Sequence, residues 1–282
     1  MITSSVKQLP KSTVEIEIQI SWDEIKSSYE KIIQAARKEI EIEGFRKGKA
    51  PQKLTESKID RNKVYEEVIK EIIPRAYAKA IKDHNLAPII SPKIDIIKAK
   101  EEQDWIVKVT VALKPKILLK NYQDKIRALK QSNKKIWTPG STNEKKPDEK
   151  LSLDKIVETL LSEIEIELPD ILIEEEINRL LASLIDQTQK LGLTIEKYLQ
   201  AKGKTVEQIR AEYAQQAEKN LKIEFALSEI ADKENITVTA TDLDNIISKV
   251  EKPEEREKLK KESYYLAHLL RQQKTLDFLN SL

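Results

Sequence analysis

The 282-residue chain has no cysteine, only two histidines and only five glycines. Without cysteine it has no disulfide, no thiolate nucleophile and no Cys-ligated zinc or iron–sulfur site, and the isolated His84 and His268 leave little for a His-based metal site or catalytic triad. The glycines, at 44, 48, 140, 192 and 203, restrict function further. Loops that cradle phosphate need glycine so that backbone N–H groups can approach the ligand, and no G-x-G-x-x-G is present. Gly203-Lys204-Thr205 looks like the end of a Walker A loop, yet Tyr198 stands where its first glycine belongs. Thr205 with Gln208 three residues on reads instead as a helix capping box. No catalytic, cofactor-binding or metal-ligating residue is therefore assigned.

No window approaches the roughly 18 apolar residues of a membrane span, and Met1 to Pro10 lacks the apolar stretch of a secretion signal. A cytoplasmic protein with no membrane partner is the expectation. Charged residues make up 35% of the chain and hydrophobic ones 39%, a composition that suits a helix-rich protein. The formal net charge of +2 is unevenly spread: +3 over residues 1–113, +7 over 114–150 and −8 over 151–282. A basic front and middle would face something anionic, and an acidic rear would avoid it.

Val14, Ile16, Ile18 and Ile20 alternate with polar residues, the mark of a half-buried strand. Ser21-Trp22-Asp23-Glu24 then reads as a capping box, and Ile25, Tyr29, Ile32, Ile33, Ala36 and Ile40 follow at helical spacing, with a stop near Glu43-Gly44. A second helix runs through Val64, Val68, Ile72, Ala76, Ala80 and Ile81, with Pro74 as a kink. Ile94/Ile96 and Trp105/Val107/Val109/Val111/Leu113 form a hairpin. The fold class is thus α+β, with a β-α-α-β-β antiparallel sheet and two helices over 1–113.

Residues 114–150 read as a basic linker, too polar in their second half to bury a core. Trp137 within it is a tether to a neighbouring domain, a partner contact or a chance exposed aromatic. From Leu151 to Leu282 the period is helical throughout, which predicts an elongated all-α body. Glu174-Glu175-Glu176 and Asp242/Asp244 fall near helix starts, where negative charge complements the helix dipole better than it suggests a metal.

One segment stands apart. Gly44-Phe45-Arg46-Lys47-Gly48-Lys49-Ala50-Pro51 places three cations and one aromatic in a glycine-punctuated connection between the first two helices. Such a tip either docks on an anionic, partly apolar surface or folds Phe45 back onto the helices under a cap of solvated lysines. The segment resembles the G-F-R-x-G-x-x-P signature of the trigger factor family, the bacterial chaperones of the ribosomal exit tunnel, and the order of strand and helices around it is similar too. The resemblance implies a ribosome-binding domain at 1–113, in which Phe45, Arg46, Lys47 and Lys49 lie at the docking tip and Gly44, Gly48 and Pro51 shape the loop. It also implies a helical chaperone body at 151–282 that shields apolar nascent chains without ATP.

The implied partners are the exit-tunnel protein and ribosomal RNA, unfolded nascent polypeptides, and a second copy of the chain off the ribosome. Members of the family usually carry an FKBP-type prolyl isomerase domain between these parts. Here 114–150 fills that slot, so a non-enzymatic chaperone is expected. A retained isomerase and an RNA-associated scaffold are the alternatives.

Overall fold

The computed structural model describes residues 1–40, 59–133, 153–250 and 252–282. They divide into two compact units: 1–114 with 169–172, and 115–168 with 173–282. Among the described residues no helix is long and apolar enough to cross a membrane.

The first unit is built on a four-stranded antiparallel sheet of order β1-β2-β4-β3, comprising β1 (Ile2–Leu9), β2 (Thr13–Ile20), β3 (Lys93–Lys98) and β4 (Trp105–Ala112). The alternation of β2 places Val14, Ile16, Ile18 and Ile20 opposite Val111, Val109, Val107 and Trp105 of β4. All eight are buried. Helices α1 (Trp22–Glu39) and α2 (Arg61–Asp83) cover this face with Ile25, Val64, Val68, Ile72, Ile73, Ala76 and Ala80. Each large aliphatic side chain so buried contributes about 2 kcal/mol. Pro74 lies on the exposed side of α2, where the Lys70 carbonyl that loses its helical partner can turn to water.

Strand β1 is the element that periodicity missed, making the order among the described residues β-β-α-α-β-β rather than β-α-α-β-β. Only Ile2 and Val6 mark its inner face. Its turn into β2 hides as well, because the positive φ values fall on Lys11 (58°) and Ser12 (50°) instead of on glycine or asparagine. Helix α1 also differs at both ends. Ser21 is its N-cap but makes no side-chain cap bond; its hydroxyl accepts from the Met1 amino group, and the Glu24 carboxylate is drawn to Arg75 at 3.0 Å. Asp104 supplies the missing cap, accepting the Trp22 N–H at 2.9 Å. At the other end α1 stops at Glu39, with Ile40 already extended, short of the expected stop at Glu43-Gly44.

The second unit holds helices α3 (Tyr122–Asn133), α4 (Leu153–Ser162), α5 (Asp170–Lys190) from residue 173 onward, α6 (Ile195–Lys202), α7 (Val206–Lys233), α8 (Ala240–Ile247), α9 (Pro253–Lys261) and α10 (Ser263–Ser281). A short ladder pairs β5 (Ile117–Leu119) with β6 (Ile164–Ile166). Tyr122 and Ile126 of α3 are fully buried with Ile156, Leu160, Ala226, Leu227, Ile230 and Leu279. The linker reading of 114–150 therefore needs correction over 117–133. Only four apolar residues follow β5 in this stretch before Asn133 (Tyr122, Ile126, Ala128 and Leu129), too few to outweigh its charge in composition, but Tyr122 and Ile126 sit one helical turn apart and enter the core together. Trp137 lies outside the described residues.

A smaller cluster joins Leu184, Leu199 and Ile209 across α5, α6 and α7. Local signals punctuate these helices as the sequence suggests. Thr205 and Gln208 form a reciprocal capping box, and Gly203 closes α6 in the left-handed conformation with φ 63°.

Candidate functional site

The docking residues proposed from the sequence, Gly44, Phe45, Arg46, Lys47, Gly48, Lys49 and Pro51, all lie outside the described residues. The structure does describe the frame that carries them. The connection leaves α1 at Ile40 and enters α2 through Asp60, whose carboxylate accepts the Asn62 N–H at 3.0 Å. Arg37 and Lys38 occupy the last turn of α1, and Arg61 and Lys63 open α2. Cations thus stand at both feet of the basic segment. At the end of α1 they complement the helix dipole; at the start of α2 they oppose it, and the Asp60 cap offsets that cost.

An aromatic series holds the two helices against the sheet, and sequence reasoning did not see it as a unit. The Tyr29 ring of α1 lies 4.9 Å from Tyr65 of α2, and Tyr65 lies 6.3 Å from Trp105 of β4. Burial, then the charge and hydrogen bond of Glu101, push the Tyr65 hydroxyl up to about 12. Tyr65 therefore stays neutral and donates to Glu101. Trp105 in turn donates from Nε1 to the Lys100 carbonyl at 3.2 Å, and Asp104 next to it caps α1. The bonds to Trp22 and then Gln19 lower the Asp104 carboxyl. The β3–β4 turn is consequently the clasp for the helix that leads into the basic segment.

Elsewhere, apolar side chains face solvent in several places. Leu191, Leu193 and Val206 lie about the turns between α5, α6 and α7, and Tyr264, Tyr265 and Leu269 lie on α10. In the first unit Ile94, Ile96 and Ile97 of β3 are exposed. Exposed apolar groups clustered in this way are the usual material of protein contacts.

Most of the residues set aside on sequence grounds have structural partners. Glu176 is bound by Arg179 at 2.6 and 2.7 Å, and Glu174 accepts from Arg210 at 3.2 Å. Asp242 completes a capping box with Thr239 and meets Lys274 at 2.6 Å. The Lys274 bond first, then the bonds to Thr239, lower its carboxyl to about 2. His84 Nε2 lies 3.0 Å from Ser4 Oγ, and His268 Nε2 lies 3.1 Å from Gln272 and 3.7 Å from Glu224. Among the described residues no group of three His, Cys, Asp or Glu could hold a metal ion.

An antiparallel sheet backed by a helical pair, together with a body of helices that carries its own buried clusters, defines an α+β protein. Comparison with known proteins agrees. Residues 2–136 match the family described as Bacterial trigger factor protein (TF), and residues 129–280 match Bacterial trigger factor protein (TF) C-terminus. The chain belongs to the trigger factor family. The two matches overlap, so no domain-length segment is left between them for an isomerase. The trigger factor of Nocardia farcinica is 32% identical over 123 residues, which are 44% of this chain and 26% of that protein. A Streptococcus pneumoniae trigger factor is 31% identical over 105 residues, 37% of this chain and 25% of that protein.

The matched stretches thus span about a quarter of the length of these curated relatives. A solved structure described as "Promiscuous Substrate Recognition in Folding and Assembly Activities of the Trigger Factor Chaperone" superposes with a TM-score of 0.62 over 98% of this chain and 99% of that one. At 14% identity it shows the fold alone.

Proposed function

We propose that this chain is an ATP-independent, non-enzymatic chaperone of the cytoplasm that docks at the ribosomal exit tunnel and shields apolar segments of emerging polypeptides. The observation that carries the reading is the segment Gly44 to Pro51, a family-type docking motif located between two helices whose facing ends both carry cations. Arg46, Lys47 and Lys49 would meet ribosomal RNA phosphates, and Phe45 would bury its ring against an exit-tunnel protein. Residues 1–113 act as the docking domain and 151–282 as the client-holding body, with 115–133 folded into that body.

Client contact uses the exposed apolar groups of the helical body. Unfolded chains expose apolar side chains, and weak contacts spread over many such groups bind them without sequence preference. The client's own folding then releases it. Off the ribosome, a second copy of the chain is the partner.

Ribosome co-sedimentation of the wild-type chain against Phe45→Ala/Arg46→Ala/Lys47→Ala tests the reading, with circular dichroism to confirm the fold. Loss of binding in the triple variant is expected, together with suppression of client aggregation by both proteins. Equal sedimentation of both, or of neither, would overturn the docking role.

A further inference from the structure

Two contacts between α1 and α2 set the register of the helical pair. Arg75 of α2 meets Glu24 at the start of α1 at 3.0 Å. Tyr65 of α2 meets Tyr29, about a turn and a half further along α1, with 4.9 Å between ring centroids. The helices therefore run antiparallel, and the Tyr29–Tyr65 contact is the nearer of the two to Ile40 and Asp60, where residues 41–58 depart and return. Ile32 and Ile33 are the last large apolar residues of α1 packed on the core, so residues 34–39 run on past them for about 9 Å. A helix end that projects in this way is only as steady as its last tertiary hold.

Tyr65 is also where that hold is tied to the sheet. Its ring lies 6.3 Å from the buried Trp105 of β4, and its hydroxyl is hydrogen-bonded to Glu101 of the β3–β4 turn. One side chain thus touches α1, β4 and that turn. Ring pairs prefer particular offsets and tilts, here 37° with Tyr29 and 44° with Trp105, whereas an aliphatic side chain in the same place would fill space without fixing an angle. Val64 and Val68 are the buried members of this part of α2, while Tyr65 is only half-buried. Its contacts therefore bear more on the orientation of α1 than on the stability of the core.

We propose that Tyr65 is a positioning residue for docking: by bracing α1 against α2, β4 and the β3–β4 turn, it sets the separation and angle of Ile40 and Asp60 and so the presentation of the basic segment between them. This role rests on the docking function proposed above. A segment whose two feet are already held gives up less conformational freedom when it binds. Loosening the brace therefore lowers affinity without removing any group that touches the ribosome. Glu101 acts one step further back, through the Tyr65 hydroxyl.

The full chain carrying Tyr65→Leu or Tyr65→Phe tests this role in two ways. The chain has no cysteine, so Lys38→Cys and Lys82→Cys, both at exposed positions, place spin labels at the end of α1 and the end of α2. Double electron–electron resonance between them should give a narrow distance distribution with Tyr65, a broad one with Tyr65→Leu, and a nearly narrow one with Tyr65→Phe, which keeps the rings and loses only the hydroxyl. In the unlabelled proteins the ribosome dissociation constant, from a co-sedimentation titration, should rise about fivefold for Tyr65→Leu and return most of the way to wild type for Tyr65→Phe. Circular dichroism checks that each variant is folded in the assay. A purely structural role would lower the urea midpoint and leave both the distribution and the affinity of the folded protein unchanged. Either of these unchanged in Tyr65→Leu overturns the proposal, and docking then stands or falls separately on the Phe45/Arg46/Lys47 variant. A wild type that does not sediment with ribosomes overturns docking and this role together.

Discussion

The two units bury their apolar residues differently. In the first, one continuous core runs from Ile2 through Ile16 and Ile72 to Val111, and its central members have no exposed surface. In the second, the core is divided: Ile126, Leu160, Ile230 and Leu279 form one cluster, while Leu184, Leu199 and Ile209 form another whose members keep 7 to 8% of their surface in water. A sheet backed by helices leaves few apolar groups without a neighbour. Helices joined by short turns must leave some uncovered, as Leu191 and Val206 are. The first unit encloses one core and leaves apolar side chains in water mainly along β3, while the second leaves them at its turns and along α10.

Truncation of core residues should expose that contrast most strongly. Ile16→Ala should destabilise the first unit by about 3 to 4 kcal/mol, because its site is enclosed by β4 and the helices and cannot collapse. Leu184→Ala should cost about half as much, since water already reaches its cluster. Urea unfolding followed by circular dichroism measures both, and equal losses would break the comparison.

Ile126→Ala sharpens the boundary between units. If 117–133 belongs to the second core it should cost about 3 kcal/mol, whereas a residue in a mobile linker would cost nothing measurable. Tyr122→Phe, which removes the 3.0 Å bond to Glu234, should cost about 1 kcal/mol. Hydrogen exchange of α7 amides reports whether the loss is local to this cluster.

Gly203→Ala tests a turn in the smaller cluster. No heavy atom lies within 4 Å of a methyl added there, so only the left-handed backbone resists, at about 1 kcal/mol. Thermal unfolding should shift down by a few degrees.

The smallest effect is a pH dependence. Asp242 is lowered to about 2 in the folded protein by Lys274 and Thr239, so between its ordinary value and about 2 the unfolded chain binds the proton more readily. Stability is therefore present above the ordinary carboxylate range and lost as pH falls toward 2. Asp242→Asn should flatten this acid-side slope in denaturation measured between about pH 5 and pH 2, while leaving the first unit unchanged.

Much of the fold was legible where a repeating pattern met a single environment. The strict alternation of β2 and β4, the apolar spacing of α2 and the Thr205/Gln208 box each depend on near neighbours in the chain. What escaped depended on distant ones. Ser21 and Glu24 have the right types and spacing for a capping box, but Met1 and Arg75 engage them and Asp104 caps the helix from more than eighty residues away. Strand β1 was missed because an edge strand needs little apolar content. Of the candidate site, the sequence displayed the Gly44–Pro51 motif and nothing of the Tyr29–Tyr65–Trp105 series that joins the helices on either side of it to the sheet.

By itself the sequence determined the class of the protein, the two helices around residues 44–51 and the motif they carry, because local periodicity, glycine placement and clustered charge act over short distances. Tertiary structure alone decided which carboxylate caps α1, that Tyr122 and Ile126 enter a core, and that β3 stands at the edge of the sheet. Each of these is a pairing between segments far apart in the chain, and its energy arises only when the fold brings them together.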